Sequence, residues 1–456
     1  MNYRKKVGLW IIASFLMVGM VAWESRNCGD FQHEALTEWL EHLYENDRFM
    51  GSVAMRHSDE VIYEYQAGQA GYHEEIDIGP ETQFRVGSIT KMFTAVIVLQ
   101  LTDEEHLSLE DRLADYFSEL PNAEKITLEH MLRHRSGLFN FTSAEGFTEW
   151  MTEPRSRSEI LERIIGSSPV FEPGERAQYS NTNFLLLGYI IEQITGKSYA
   201  EVLRERVIEP LELNRTNYGG VISVRNGEAR SYIYSEVEQH WNPSTETHVS
   251  GIHAAGAIIS TPSDLTKFAR ALFTGKLVGQ HNLDRMTEFR DGYGLGLIEF
   301  SFEEDELYGY GHTGGIDSFR SNLTYLPKEE ISLSITANGL RFSDSQIRNT
   351  MLTAWRGEQP ELPELQTVDL TEGHLQRLTG DYESEDLSLE ISIGVEDGRL
   401  TARTDHQPAF PLTATGKHRF SLLEAGAVIE FLKPENGSYD QFILHQNGEE
   451  FAFIRK

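Results

Sequence analysis

Cysteine is nearly missing from this 456-residue chain, where Cys28 stands alone. No intrachain disulfide can form, and a cysteine-built metal site is excluded; Cys28 itself reads as a free thiol. Positive charge is also scarce. The 40 Lys and Arg face 71 Asp and Glu, a formal net charge of −31. Such a surface repels phosphate backbones, so nucleic acid is not expected as a partner. Solenoid repeats are missing too. No serine sits in the G-x-S-x-G pattern that an α/β-hydrolase needs. His130 and His134 lie four apart, as zinc ligands do in H-E-x-x-H, but Met131 holds the glutamate's place and no acidic third ligand is obvious. The acidic run at 303–306 lacks calcium-loop spacing and reads as a solvated turn.

What is present begins with a compartment signal. Arg4, Lys5 and Lys6 precede an uncharged run over residues 7–23, closed by Glu24, with no small-x-small cleavage site after it. The run is long for a signal-peptide core and short for a membrane span. An N-terminal anchor with its positive end inside is favoured over a cleaved signal. Either way residues 1–29 form a leader, and the remainder is expected outside the cytoplasm, periplasmic or otherwise extracytoplasmic. Membrane contact is confined to that leader.

The length suggests two or three domains, and 39% hydrophobic content is enough for packed cores. Residues 31–44 suit an amphipathic helix, and 51–55 with 61–65 a β-hairpin. Helices follow at 88–103, 127–133 and 184–195, the last stopped by Gly196. A further helix spans 263–273, capped by Ser263. Strands are expected at 293–300, 307–311, 321–326 and 331–337. A hairpin first, helices next and strands last fit an α+β domain over residues 30–356, its sheet combining both chain ends. Residues 357–368 read as a linker. Residues 369–456 alternate polar and apolar, with turns at 396–398 and 447–448, as a small antiparallel, barrel-like β domain would. That tail carries no catalytic cluster of its own.

One stretch organises the rest: Ser88-Ile89-Thr90-Lys91 with the apolar Met92, Ala95, Val96 and Leu99 behind it. Positions i and i+3 of a helix are about 5–6 Å apart at Cβ. A lysine tethered into such a core has its pKa lowered, the condition for an amine to take a proton from a serine hydroxyl. Taken alone, Ser88 reads first as a helix cap and Lys91 as a surface charge. Two further stretches add weight. Tyr179-Ser180-Asn181 sets a phenol and an amide two apart at a helix mouth, where extended backbone points them the same way. Gly311-His312-Thr313-Gly314-Gly315 is a glycine-bracketed strand along which a substrate backbone can lie.

In order and spacing, Ser-Ile-Thr-Lys, Tyr-Ser-Asn and His-Thr-Gly resemble the three motifs of the penicillin-recognising serine hydrolases. These comprise class C β-lactamases, D-alanyl-D-alanine carboxypeptidases, D-aminopeptidases and related esterases; a variant form is S-x-x-K with S-D-N and K-T-G. Residues 126–138 and 254–265 extend the similarity, which runs from about 47 to 338. The tail resembles the lipocalin-like β domain of some members. The resemblance implies the β-lactamase/transpeptidase fold and an acyl-enzyme on Ser88, with no cofactor and no metal. Lys91 and Tyr179 share base and acid work, and Asn181 holds Lys91 or the substrate amide. The N–H groups of Ser88 and Gly315 form the oxyanion hole. His312, Thr313 and Gly314 contact the substrate, a small peptide, a β-lactam or an ester. His312 stands where β-lactamases usually have lysine, and a histidine partly charged near neutrality holds a carboxylate less firmly. The implied activity is amide or ester hydrolysis on D-amino-acid or wall-derived substrates. The alternatives are a true class C type β-lactamase and, outside enzymes, a non-catalytic wall-peptide sensor.

Overall fold

The computed structural model describes residues 31–456 apart from 236–237, 303–306, 366, 385–386, 388, 405–408, 423–426, 433–438 and 447–448. The N-terminal run with Cys28, the acidic run at 303–306 and the expected turn at 447–448 lie outside the described residues.

The elements that position the site are α1 (His33–Glu45), β1 (Phe49–His57), β2 (Glu60–Ala67), α2 (Thr90–Asp103), α3 (Leu128–Leu132), α4 (Asn181–Thr195) and α5 (Pro262–Phe273). After them come β3 (Ile298–Ser301), β4 (Tyr308–Ile316), β5 (Phe319–Leu326), β6 (Ile331–Leu340) and α6 (Asp344–Trp355). The strands form one antiparallel sheet in the order β3-β4-β5-β6-β1-β2. The N-terminal hairpin thus joins the late strands through β1 and β6, as expected for an α+β domain. Pro262 starts α5, but its cap is Thr261, whose side chain accepts from the Asp264 N–H; the expected cap, Ser263, already lies inside the helix. Proline suits the first helical position because it has no N–H to leave unsatisfied. The strand expected over 293–300 shortens to β3, because Gly292 and Gly296 take left-handed backbone, with φ of +81° and +71°.

One face of the sheet is covered by α1 and α6, where Leu36, Leu40, Ile347 and Met351 pack against Ile335 and Leu333. The other carries α5, and beyond it α2 and α4. Nearly every residue of α2 is buried. A helix apolar all round needs neighbours all round; α4 and α5 supply them, with Phe93 stacked on Phe268 at 3.8 Å.

The tail folds into a nine-stranded antiparallel sheet that closes almost into a barrel. Its first and last strands, Phe410–Pro411 and Thr413–Ala414, adjoin in sequence, and the Leu412 N–H between them donates to Leu400 O. The turn expected at 396–398 is a two-residue hairpin loop in which Asp397 and Gly398 both have positive φ, the geometry that matches strand twist. The stretch expected as a linker is tied down along α1: Trp39 Nε1 donates to Glu361 O at 3.0 Å, and Gln32 Nε2 to Gly357 O at 3.2 Å.

Candidate active site

Ser88 lies in a single 3-10 turn, Gly87–Ile89, that runs straight into α2. Lys91 is in the first turn of that helix and is wholly buried. Its Nζ donates to Asn181 Oδ1 at 2.8 Å and to Ala255 O at 2.8 Å, and lies 2.9 Å from Ser88 Oγ. Burial pushes the Lys91 amine well below its usual range. A neutral amine has two hydrogens and one lone pair. Asn181 Oδ1 and Ala255 O can only accept, so they take both hydrogens and leave the lone pair facing the Ser88 hydroxyl. The Asn181 amide is oriented by its other end, Nδ2 donating to Thr142 Oγ1 at 2.9 Å.

Tyr179 reaches the same oxygen from the other side, its hydroxyl donating to Ser88 Oγ at 2.7 Å. Desolvation raises the Tyr179 phenol far above its ordinary value, so it stays protonated. Ser180 caps α4 in extended backbone, which is what sets Tyr179 and Asn181 on one side. The hydroxyl of Ser88 therefore stands between a proton acceptor and a proton donor.

Strand β4 closes the third side. Strand β3 pairs only with Tyr308–Gly311, so the edge beyond Gly311 is left for an added strand. The strand approaches the 3-10 turn very closely: a Cβ on Gly314 would lie 2.0 Å from Val86 O, and one on Gly87 would lie 2.9 Å from Gly315 N. Gly87 also has φ of +50°, so both positions need glycine. Gly314, which was expected to touch substrate, serves this packing. Gly315 and Ser88 together line a cleft of about 290 Å³, with Phe147, Met151, Ile252 and Asp317 among its walls. Thr313 is half-buried and stands outside that lining.

His312 corrects an expectation about charge. It is buried, and burial plus the neighbouring Lys91 push its imidazole down to about 3. It is neutral at physiological pH rather than partly charged. At the cleft wall, Arg85 pairs with Asp317 at 3.1 Å, both side chains buried. Asp317 also accepts from the N–H and hydroxyl of Thr247, at 2.9 and 2.6 Å, pinning the loop before α5 to the β4–β5 turn.

Sequence reasoning missed Ala255, because a backbone carbonyl leaves no side-chain signature. It assigned no site role to His134, which lies against the Tyr179 ring; close by, Ser136 Oγ donates to Asn183 Oδ1 at 2.6 Å. Among the described residues no group of three or more His, Cys, Asp or Glu could hold a metal.

The beta-lactamase family model matches residues 36–354. The chain belongs to the beta-lactamase family. Penicillin-binding protein 4* of Bacillus subtilis (strain 168) is 24% identical over 445 residues, 91% of this chain and 97% of that protein. Teichoic acid D-alanine hydrolase of Staphylococcus aureus (strain MRSA252) is 26% identical over 255 residues, 56% of this chain and 61% of that one. A D-stereospecific amidohydrolase from Streptomyces sp. superposes with a TM-score of 0.61 at 28% identity, covering 71% of this chain and 98% of that structure. This beta-lactamase-family chain is a serine hydrolase.

Proposed function

We propose that this enzyme hydrolyses amides or esters of D-amino acids, including wall-derived peptides, through an acyl-enzyme on Ser88. The observation that carries the reading is the Ser88 hydroxyl held between the buried Lys91 amine at 2.9 Å and the Tyr179 phenol at 2.7 Å. Lys91 takes the hydroxyl proton as Ser88 Oγ bonds to the carbonyl carbon. The oxyanion is received by the N–H groups of Ser88 and Gly315, each such donor being worth about 2.7–4 kcal/mol of barrier. Collapse breaks the C–N or C–O bond, and the proton passes from Lys91 through Tyr179 to the leaving group. Water then attacks the ester with the same groups in reverse.

The substrate class rests on the cleft and on the relatives. Phe147, Met151, Ile252 and Ile316 offer an apolar wall, and no lysine or arginine is among the lining residues. With His312 neutral, the position held by lysine in β-lactamases offers no charge to a β-lactam carboxylate, which supports a peptidase or esterase over a β-lactamase. The names D-alanine hydrolase and D-stereospecific amidohydrolase support a D-configured acyl group.

We also assign residues 30–356 to the hydrolase domain, 357–368 to a connection and 369–456 to the barrel, and place the enzyme outside the cytoplasm, anchored through residues 7–23. Among the described residues no helix is long and apolar enough to cross a membrane; the proposed anchor precedes them.

The test is a substrate panel on the full chain: D- and L-alanine p-nitroanilide, p-nitrophenyl acetate and nitrocefin. Turnover of the D-anilide or the ester, lost in Ser88→Ala, is expected. Nitrocefin as the best substrate by kcat/KM, or L over D preference, would overturn the substrate assignment.

A further inference from the structure

Behind Lys91, on the side away from the cleft, a buried set of hydroxyls and rings has no place in the mechanism above. Thr94 lies one turn along α2 from Lys91. Its Oγ1 donates to Ala254 O at 2.7 Å, in preference to Thr90 O at 3.2 Å, and the Tyr199 hydroxyl sits 2.7 Å from the same Oγ1. A threonine hydroxyl has one hydrogen. With that hydrogen on Ala254 O, the Tyr199 phenol is the donor to Thr94. Burial raises the Tyr199 phenol well above its usual range, so it keeps its proton. The resulting order is Tyr199 to Thr94 to the Ala254 carbonyl, and the next carbonyl in the chain, Ala255 O, is the one that accepts from Lys91.

The turn bearing these two carbonyls is not one the backbone adopts freely. His253 opens it with φ of +38°, outside the regions that L-residues favour. The ring of His253 is enclosed by Tyr189, Tyr199 and Tyr218, at centroid distances of 5.1, 5.2 and 5.8 Å. Tyr218 Oη lies 2.9 Å from its Nδ1. Ala254 packs so tightly on α4 that a Cβ at Gly188 would come within 2.4 Å of it. Tyr199 therefore does two things: it closes one wall around the strained histidine and it supplies the hydrogen bond that fixes Thr94.

We propose that Thr94 and Tyr199 are positioning residues for Lys91, holding the 253–255 turn so that Ala255 O keeps the amine's lone pair on Ser88. This rests on the reading of Lys91 as the base for Ser88. Loss of either hydroxyl lets the turn relax and withdraws a carbonyl from Lys91. That carbonyl stabilises the charged amine more than the neutral one, since hydrogen bonds to a charged donor are the stronger. Its withdrawal lowers the Lys91 pKa and at the same time misdirects the lone pair. The other groups around the amine are Tyr179 and Asn181 at the mouth of α4, His134 after α3 and His312 on β4. Thr94 instead hydrogen-bonds to Ala254 O and to the Tyr199 hydroxyl.

The experiment follows the pH dependence of Ser88 acylation by a fluorophosphonate, read by intact-protein mass, for wild type, Thr94→Val, Thr94→Ser and Tyr199→Phe in the full chain. In that step the Oγ–P bond forms, the P–F bond breaks, fluoride leaves and the serine proton goes to Lys91. Wild type labels at Ser88. Thr94→Val and Tyr199→Phe label at least 10-fold more slowly on the plateau, with the acid limb moved to lower pH; Thr94→Ser stays within twofold. The Val and Ser pair keeps the comparison if Tyr199→Phe fails to fold. Rates within twofold of wild type for Thr94→Val overturn the positioning role alone. A limb that moves to higher pH also overturns it, because that is the mark of water entering a loosened core. No labelling of wild type overturns both this inference and the base assignment to Lys91.

Discussion

The ring of His134 lies 4.4 Å from that of Tyr179, tilted by 31°, and its Nδ1 accepts the Ser180 N–H at 3.1 Å. Burial, Lys91 and His312 all hold this imidazole neutral. With Nδ1 accepting, the ring's one proton is on Nε2. His134 thus fixes both the phenol that touches Ser88 and the N–H of Ser180, the residue just before α4, from a position with φ of +57°.

Replacing it by alanine removes the acceptor for a buried N–H, which costs about 1–3 kcal/mol, and a ring contact worth about 0.5–1.5 kcal/mol. His134→Ala is expected to melt several degrees lower and to lose about tenfold in kcat with KM little changed. His134→Asn, which tolerates the left-handed region and keeps an acceptor, should recover part of both. Equal kcat for wild type and His134→Ala would show that Tyr179 is held without the ring.

Lys91 makes the fold less stable so that the site can work. Its folded pKa lies below the unfolded value of 10.5, so between the two values the unfolded chain carries one more proton than the folded chain. Stability then rises with pH, by about 1.4 kcal/mol per unit from this group. Lys91→Met removes the term. The variant is expected to be the more stable protein in neutral buffer, with an advantage that shrinks steadily as pH rises toward 10. Its activity should fall by about 10²–10⁴-fold, the range for a lost general base. Denaturant melts of both proteins from pH 6 to 10 check the sign; a gap that is constant or widens with pH contradicts it.

Much of this arrangement was legible in the residues themselves. Ser88 and Lys91 were readable because spacing on a helix is fixed, and Tyr179 with Asn181 because alternation in an extended cap is fixed. The left-handed Gly196 ended α4 where its backbone freedom said it would. What resisted reading depends on long-range approach. Ala255 meets Lys91 across 164 residues of chain, and no local pattern marks a carbonyl that does so. His312 sits in a motif position that names its strand, yet its charge depends on burial by elements far away in sequence. Gly314 was read as touching substrate, and its close approach to Val86 O shows only once the strand is packed against the 3-10 turn.

His312 makes a prediction of the opposite pH range. Its imidazole titrates near 3 when folded and near 6.5 when unfolded, so the unfolded chain holds the extra proton between those values. Stability contributed here is intact above pH 6.5 and is lost as pH falls toward 3, by about 4–5 kcal/mol in all. His312→Gln, neutral throughout, is expected to unfold at lower pH than wild type in an acid titration followed by circular dichroism. Coincident acid transitions would mean that His312 is protonated at no cost and is less enclosed than the structure has it.

Gly314 tests whether the strand must come this close. An added methyl would meet Val86 O at 2.0 Å and Ser321 Oγ at 2.3 Å, and the Ser321 hydroxyl already donates to that Val86 oxygen at 2.8 Å. Serine could swing aside, but a backbone oxygen two residues before Ser88 cannot move without moving the nucleophile's turn. Gly314→Ala therefore pushes Gly315 away from Ser88 and opens the expected oxyanion hole. Separating one donor from the oxyanion corresponds to about a 10²–10³-fold loss in kcat. Gly315→Ala is the control, because its Cβ meets only the Arg320 side chain, at 3.5 Å, and its N–H stays in place. Comparable kcat for the two alanine variants would show that the close approach of β4 to Val86 is not what sets the distance between Ser88 and Gly315.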